Sequence, residues 1–150
     1  MENKEFKNLF NENSKKNDFE SAFGGWFKES SESIVALFLQ KSNFGNNYYL
    51  NIKVFVQGSF GIYYQKTKDL KFATSDILRR QPNEYNDVFD LEVPLDDAFR
   101  EEKLEELFVS FVVPFTNKAL SRKQILDLEE TNELVLLSSV KEELEKLENT

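Results

Sequence analysis

From Tyr48 to Gln57 the side chains fall into two alternating sets. Tyr48, Leu50, Ile52, Val54 and Val56 form one set, and Tyr49, Asn51, Lys53, Phe55 and Gln57 form the other. A side-chain period of two is the signature of a strand with one face turned to a core, and such a strand needs partners for its backbone. Just upstream, Ile34–Leu39 has no polar residue. That run suits a strand covered on both faces or a short buried helix; its β-branched start and the turn residues Ser42–Asn47 favour a central strand. Beyond Gly58 and Gly61, Phe60–Gln65 keeps a β-like composition, so three consecutive antiparallel strands are the economical reading. Val88–Val93 is expected to add another, with Phe89, Leu91 and Val93 on its buried face. Phe23–Lys28 is expected to be extended, its start loosened by Gly24–Gly25.

The flanks read as helices. Phe6, Leu9 and Phe10 fall at helical spacing within residues 2–12, and Asn11, Asn13, Ser14, Asn17 and Asp18 follow as a polar breaker. After Pro94, Asp96 or Asp97 can cap a helix whose Phe99, Leu104, Leu107, Phe108 and Phe111 mostly share a side. Pro114 predicts a break or kink between Val112 and Phe115. Ser121 and Gln124 have the spacing of a capping box, and Thr131 or Asn132 can start a last helix through Leu144 and Leu147. The expected fold class is α+β: one domain over residues 1–150, with a four- or five-stranded, mainly antiparallel sheet and the N-terminal and C-terminal helices packed on one face. Leu37, Leu39, Leu50, Ile52, Val54, Leu91, Leu107 and Phe111 are the expected core. A chain of 150 residues with 15 Phe, 5 Tyr and 1 Trp has enough apolar material to bury about two thirds of its unfolded surface.

Neither cysteine nor histidine occurs. Thiol nucleophiles, Ser-His-Asp and Cys-His arrangements, the usual zinc sites and histidine pH switches are thereby excluded. The glycines form no G-x-G-x-x-G or phosphate-loop pattern, and no cofactor is expected. The charged N-terminal segment has no apolar stretch after it, and the longest apolar run, Ile34–Leu39, is far short of the roughly 20 residues that a spanning helix needs. The expected compartment is therefore the cytoplasm, with no membrane partner. Heavy use of Lys and Asn points to an AT-rich bacterial genome.

The net charge of −8 is uneven. Up to Leu91 acids and bases balance at 12 each, whereas Glu92–Thr150 holds 15 acids and 7 bases. The middle segment Lys41–Arg80 has seven basic residues against Asp69 and Asp76. Two different surfaces are implied, an acidic helical one and a basic one near the strands.

Leu39-Gln40-Lys41-Ser42 followed by Tyr48-Tyr49-Leu50-Asn51 resembles the bacterial family called domain of unknown function 4304. The resemblance covers residues 34–57, and extends more loosely to Val88-Phe89-Asp90-Leu91 and Val113-Pro114-Phe115. The chain departs from the family pattern at Ser75, Asp76 and Phe89, where His or Trp is common. The resemblance implies the same order of elements, and the family has no assigned activity to carry over.

Gln40, Lys41, Ser42, Tyr49 and Asn51 are the candidate binding residues, because a strand end with amides, an ammonium and tyrosines can hydrogen-bond and stack on a ligand. The same residues also suit turn and core duties. Alternation puts Tyr48 on the core face and Tyr49 on the face of Asn51 and Lys53. Glu101, Glu102, Glu105 and Glu106 have i,i+4 spacing but are interleaved with Arg100 and Lys103, as in a solvated helix face, and no metal site or catalytic residue is assigned. The expected function is a non-catalytic protein-binding module, with an immunity-like or regulatory inhibitor of a basic protein as one concrete version. The alternatives are a small-molecule binder or an enzyme using Tyr, Lys and carboxylate acid-base chemistry, and then a weak nucleic-acid binder using Arg79, Arg80, Lys66, Lys68 and Lys71 with Tyr63, Tyr64 and Phe72.

Overall fold

The computed structural model describes all 150 residues. Helix α1 (Asn3–Lys16) is followed by strands β1 (Glu20–Ala22), β2 (Gly25–Glu29), β3 (Ser33–Lys41), β4 (Tyr48–Val56) and β5 (Ile77–Arg79). The remainder is helical: α2 (Asn86–Phe89), α3 (Asp97–Leu107), a π-helical turn over Phe108–Val112, α4 (Val113–Ala119), α5 (Arg122–Glu130) and α6 (Ser138–Glu148). The five strands form one antiparallel sheet in chain order, so the fold is α+β as expected. No helix is long and apolar enough to cross a membrane.

The two central strands follow from their sequence. β3 and β4 pair along their whole length as a hairpin, from Ser33↔Val56 to Lys41↔Tyr48. Val35 and Leu37 face the helices together with Tyr48, Leu50, Ile52, Val54 and Val56. Ile34, Ala36, Phe38 and Phe55 occupy the opposite face, which explains why β3 has no polar alternation: both of its faces are covered. On the helix side Phe6 stacks on Tyr48 at 5.6 Å, and Phe10 meets Trp26 at 4.8 Å and Phe108 at 5.2 Å.

Several expected elements take another form. The chain over Val88–Val93 is a helical turn and loop, with a single bridge between Asp90 and Asn47. The reason is Arg100, only 1% exposed, whose guanidinium donates to the carbonyls of Asp87, Val88, Asp90 and Val93 at 2.8–3.1 Å. Those acceptors are no longer free to join a ladder. Phe60–Gln65 is not a strand either. Gly58, Phe60 and Gly61 all adopt positive φ, which curls the backbone away, and the Gln57 side chain bonds the N–H and C=O of Tyr64 at 2.7 and 2.9 Å. β5 joins the sheet in its place. At the other edge, Phe23 and Gly24, both at positive φ, form the two-residue loop of a β1–β2 hairpin that was not expected. β2 starts at Gly25, where a Cβ would lie 2.5 Å from the Phe38 ring.

The helices also differ from expectation in places. α1 runs past residue 12 to Lys16, because the Asn13 amide bonds the Leu9 carbonyl at 3.0 Å and sits within the helix without breaking it. Pro114 does not break the chain's helical path. The π-turn lies immediately before it and widens the helix at Ser110, whose carbonyl the proline ring would otherwise meet. The last helix starts at Ser138, since Asn132 takes a φ of 62° and ends the preceding segment. Of the expected core, Leu37, Leu50, Ile52, Val54 and Leu107 are buried, whereas Leu39, Leu91 and Phe111 are half-buried at its margin; Phe99, expected on the apolar side of its helix, is exposed.

Candidate functional site

All the helices pack on one face of the sheet, so the other face must be closed by something else or meet solvent. The segment between β4 and β5 closes part of it. Leu70 inserts beside Phe27, Phe38 and Phe55, and Tyr64 packs on Phe55 at 5.0 Å. Lys53 holds this cover down: its ammonium donates to the carbonyls of Lys71 and Ala73, both at 2.8 Å, and to that of Leu70 at 3.5 Å. Burial lowers the Lys53 pKa, and no carboxylate pairs with it. At the far end of the segment, Asp76 accepts from the Val56 N–H at 2.7 Å and from the Ser59 hydroxyl at 3.3 Å. Burial nevertheless holds its carboxyl above the ordinary range.

Where this cover ends, the sheet face opens into a groove of about 500 Å³, lined by Phe38, Leu39, Gln40, Lys41, Asn51, Lys53, Lys71, Phe72 and Leu78. Three of these residues are lysines and none is acidic. Phe72 is 85% exposed and Leu78 54% exposed, so the groove has apolar walls as well as positive charge.

The candidate binding residues are placed by the β3–β4 hairpin. Gln40 pairs with Tyr49 in the register, and Gln40 Oε1 accepts from Asn51 Nδ2 at 2.9 Å. Asn51 Oδ1 in turn accepts from Arg80 Nε at 3.2 Å, and the Arg80 guanidinium lies 4.5 Å from the centre of the Tyr49 ring. Gln40, Asn51, Arg80 and Tyr49 thus form one connected row, with Lys41 at its end on the groove. Ser42 stands apart: it closes the turn by accepting from the Phe44 N–H at 3.1 Å, and it does not line the groove. Tyr48 is buried on the helix face and Tyr49 is half-buried on the other, as alternation requires.

Lys53, Lys71, Phe72, Leu78 and Arg80 complete this site and were not among the candidate residues. The signal that could have found them is the basic excess of Lys41–Arg80, since three residues of that segment supply all the charge in the groove lining. Of the residues weighed for nucleic-acid binding, Lys71, Phe72 and Arg80 meet at this site, while others go elsewhere. Lys66 pairs with Glu20 at 2.9 Å, Tyr64 packs inward on Phe55, and Arg79 turns to Phe111 and Phe115 on the far side.

The acidic row of α3 is an exposed helix face. Lys103 pairs with Glu106 at 3.0 Å and, through this hydrogen bond first, lowers the carboxyl's pKa while its own is raised. No group of three or more acidic side chains is gathered as metal ligands would be. Compared with family models, curated proteins and solved structures, the chain matches none of them.

Proposed function

We propose that this protein is a non-catalytic binding module whose groove on the helix-free face of the sheet receives an acidic segment of a partner protein. The observation that carries this reading is the charge of the lining: Lys41, Lys53 and Lys71 with no carboxylate among them. Lys53 is committed to backbone carbonyls, which leaves Lys41 and Lys71, neither of them in an ion pair, for the partner's carboxylates. The amides of Gln40 and Asn51 have the donors and acceptors that an extended peptide backbone uses, while Phe72 and Leu78 offer apolar contact beside them. A long polyanion such as a nucleic acid fits less well. The surface beyond the groove belongs to a chain of net charge −8, which repels phosphates outside the lysine cluster. A cytoplasmic regulatory role suits a chain without cysteine.

Titration of the isotope-labelled protein with a hexaglutamate peptide tests the reading. The amides of Gln40, Asn51, Lys71 and Phe72 are expected to shift, with binding at least tenfold weaker in Lys41→Glu/Lys71→Glu and at high salt. Preferential binding of hexalysine, with shifts confined to α3 and α6, would instead favour an inhibitor that meets a basic protein through its acidic helices. Tighter binding of single-stranded DNA to the lysine groove than of hexaglutamate would overturn the choice of a protein partner.

A further inference from the structure

A second concave site lies on the opposite side of the sheet edge, where the π-turn precedes Pro114. We infer that this cavity binds a small carboxylate with an apolar or aromatic tail. It has a volume of about 270 Å³ and is lined by Arg79, Phe111, Pro114, Phe115, Lys118 and Leu128, together with Ser110 and Glu133. Cavities of this size suit a molecule of about ten heavy atoms, smaller than a drug-sized ligand.

The π-turn and Arg79 together build the site. Phe111 on the π-turn and Phe115 on α4 stack almost parallel, 4° apart with centroids at 5.7 Å, and together give the cavity an aromatic side. The Arg79 guanidinium lies 5.3 Å from both ring centres. Its Nη1 donates to the Glu133 carbonyl at 3.0 Å, so the group is fixed in place by one hydrogen bond and two rings. Such fixation reduces the entropy lost when a planar anion binds the remaining N–H groups. Arg79 has no carboxylate partner, and neither has Lys118, the second cation of the lining. Glu133 is the one acid, and its carboxylate accepts from the Thr131 hydroxyl at 2.6 Å. A guanidinium held against aromatic rings with unfilled donors matches the planar fork of a carboxylate. The apolar wall formed by Phe111, Pro114, Phe115 and Leu128 requires the rest of the ligand to be apolar, which disfavours inorganic phosphate and free nucleotides.

This site is independent of the lysine groove, and the experiment separates the two. Phenylacetate is the probe, with 2-phenylethanol as its neutral analogue and acetate as the anion without a tail. The expected dissociation constant for phenylacetate is about 1 mM, within the range of ligand efficiencies for a fragment of that size. At tenfold excess over that constant, the midpoint of thermal unfolding should rise by about 3 °C. The amides of Ser110, Phe111 and Phe115 should shift saturably, and phenylethanol and acetate should each bind at least tenfold more weakly. Arg79→Gln should weaken phenylacetate at least tenfold, and so should Lys118→Gln, an exposed change that leaves the fold intact. Lys71→Glu should leave phenylacetate binding unchanged. Equal affinity for phenylethanol, undiminished binding to a folded Arg79→Gln or Lys118→Gln protein, or loss of binding in Lys71→Glu would each overturn the assignment.

Discussion

The helix side of the sheet buries a cluster of 26 residues, whereas the other side buries six, so the bulk of the stabilising apolar burial lies under the helices. The two covers are also held by different forces. On the helix side, apolar stripes from six helices meet apolar strand faces, and the one buried charge, Arg100, has four carbonyls around it. On the opposite side the cover is an irregular segment held down by Leu70 and by side-chain bonds to backbone groups from Lys53, Gln57 and Asp76. A cover of this kind spans only as far as its polar anchors reach. Beyond them the sheet face is open, and there the candidate groove lies.

The largest expected effect tests the helix side. Phe10→Ala removes a ring that touches Trp26, Phe89 and Phe108, and should cost about 3–5 kcal/mol in urea unfolding. A loss under about 1 kcal/mol would mean that this face is not the main core. Tyr48→Ala on the same face should cost several times more than Tyr49→Ala, which is expected to stay within about 0.5 kcal/mol. Equal losses would show that the facing of β4 is wrong.

On the other side, Lys53→Met keeps the aliphatic stem and deletes the ammonium that holds the loop carbonyls. The loss should be about 1–2 kcal/mol, with faster hydrogen exchange confined to residues 66–76. Faster exchange throughout α1 and α3 as well would mean that the two faces unfold together and that the contrast between them is only geometric.

The smallest effect is electrostatic. Burial raises the Asp76 pKa in the folded state, so its contribution to stability is present in full below the unfolded value and is lost as pH rises through the folded one. Relative to Asp76→Asn, the wild-type protein should therefore be comparatively more stable near pH 3 than near pH 7. Asparagine can still accept the Val56 N–H bond, so the comparison isolates the charge. A difference in unfolding free energy that does not vary with pH would remove Asp76 from the forces that hold this cover.

In the candidate site, the row Gln40–Asn51 and the outward facing of Tyr49 were legible because strand alternation is local: each side chain's face is set by its parity along the chain. The same parity explains why Tyr48 is core. Lys71, Phe72, Leu78 and Arg80 were not legible as parts of that site. They arrive through a segment with no repeating period, whose path depends on positive-φ turns at Gly58, Phe60 and Gly61 and on bonds to side chains distant in sequence. Ser42 has composition that suits either a site or a turn, and only its bond to the Phe44 N–H decides for the turn.

By itself, the sequence determined the α+β class, the central β3–β4 hairpin and its facing, the amphipathic first helix and the Ser121 cap, whose hydroxyl oxygen accepts the Gln124 N–H. These rest on short-range periods and on capping chemistry that needs no distant partner. Tertiary structure decided the rest. Val88–Val93 has the composition of a strand, but a buried guanidinium takes its carbonyls; Phe60–Gln65 likewise yields its place at the sheet edge to Ile77–Arg79. In both places the backbone's hydrogen-bond partners come from residues far along the chain or from side chains, so local propensity was overruled by the need to satisfy every buried backbone group.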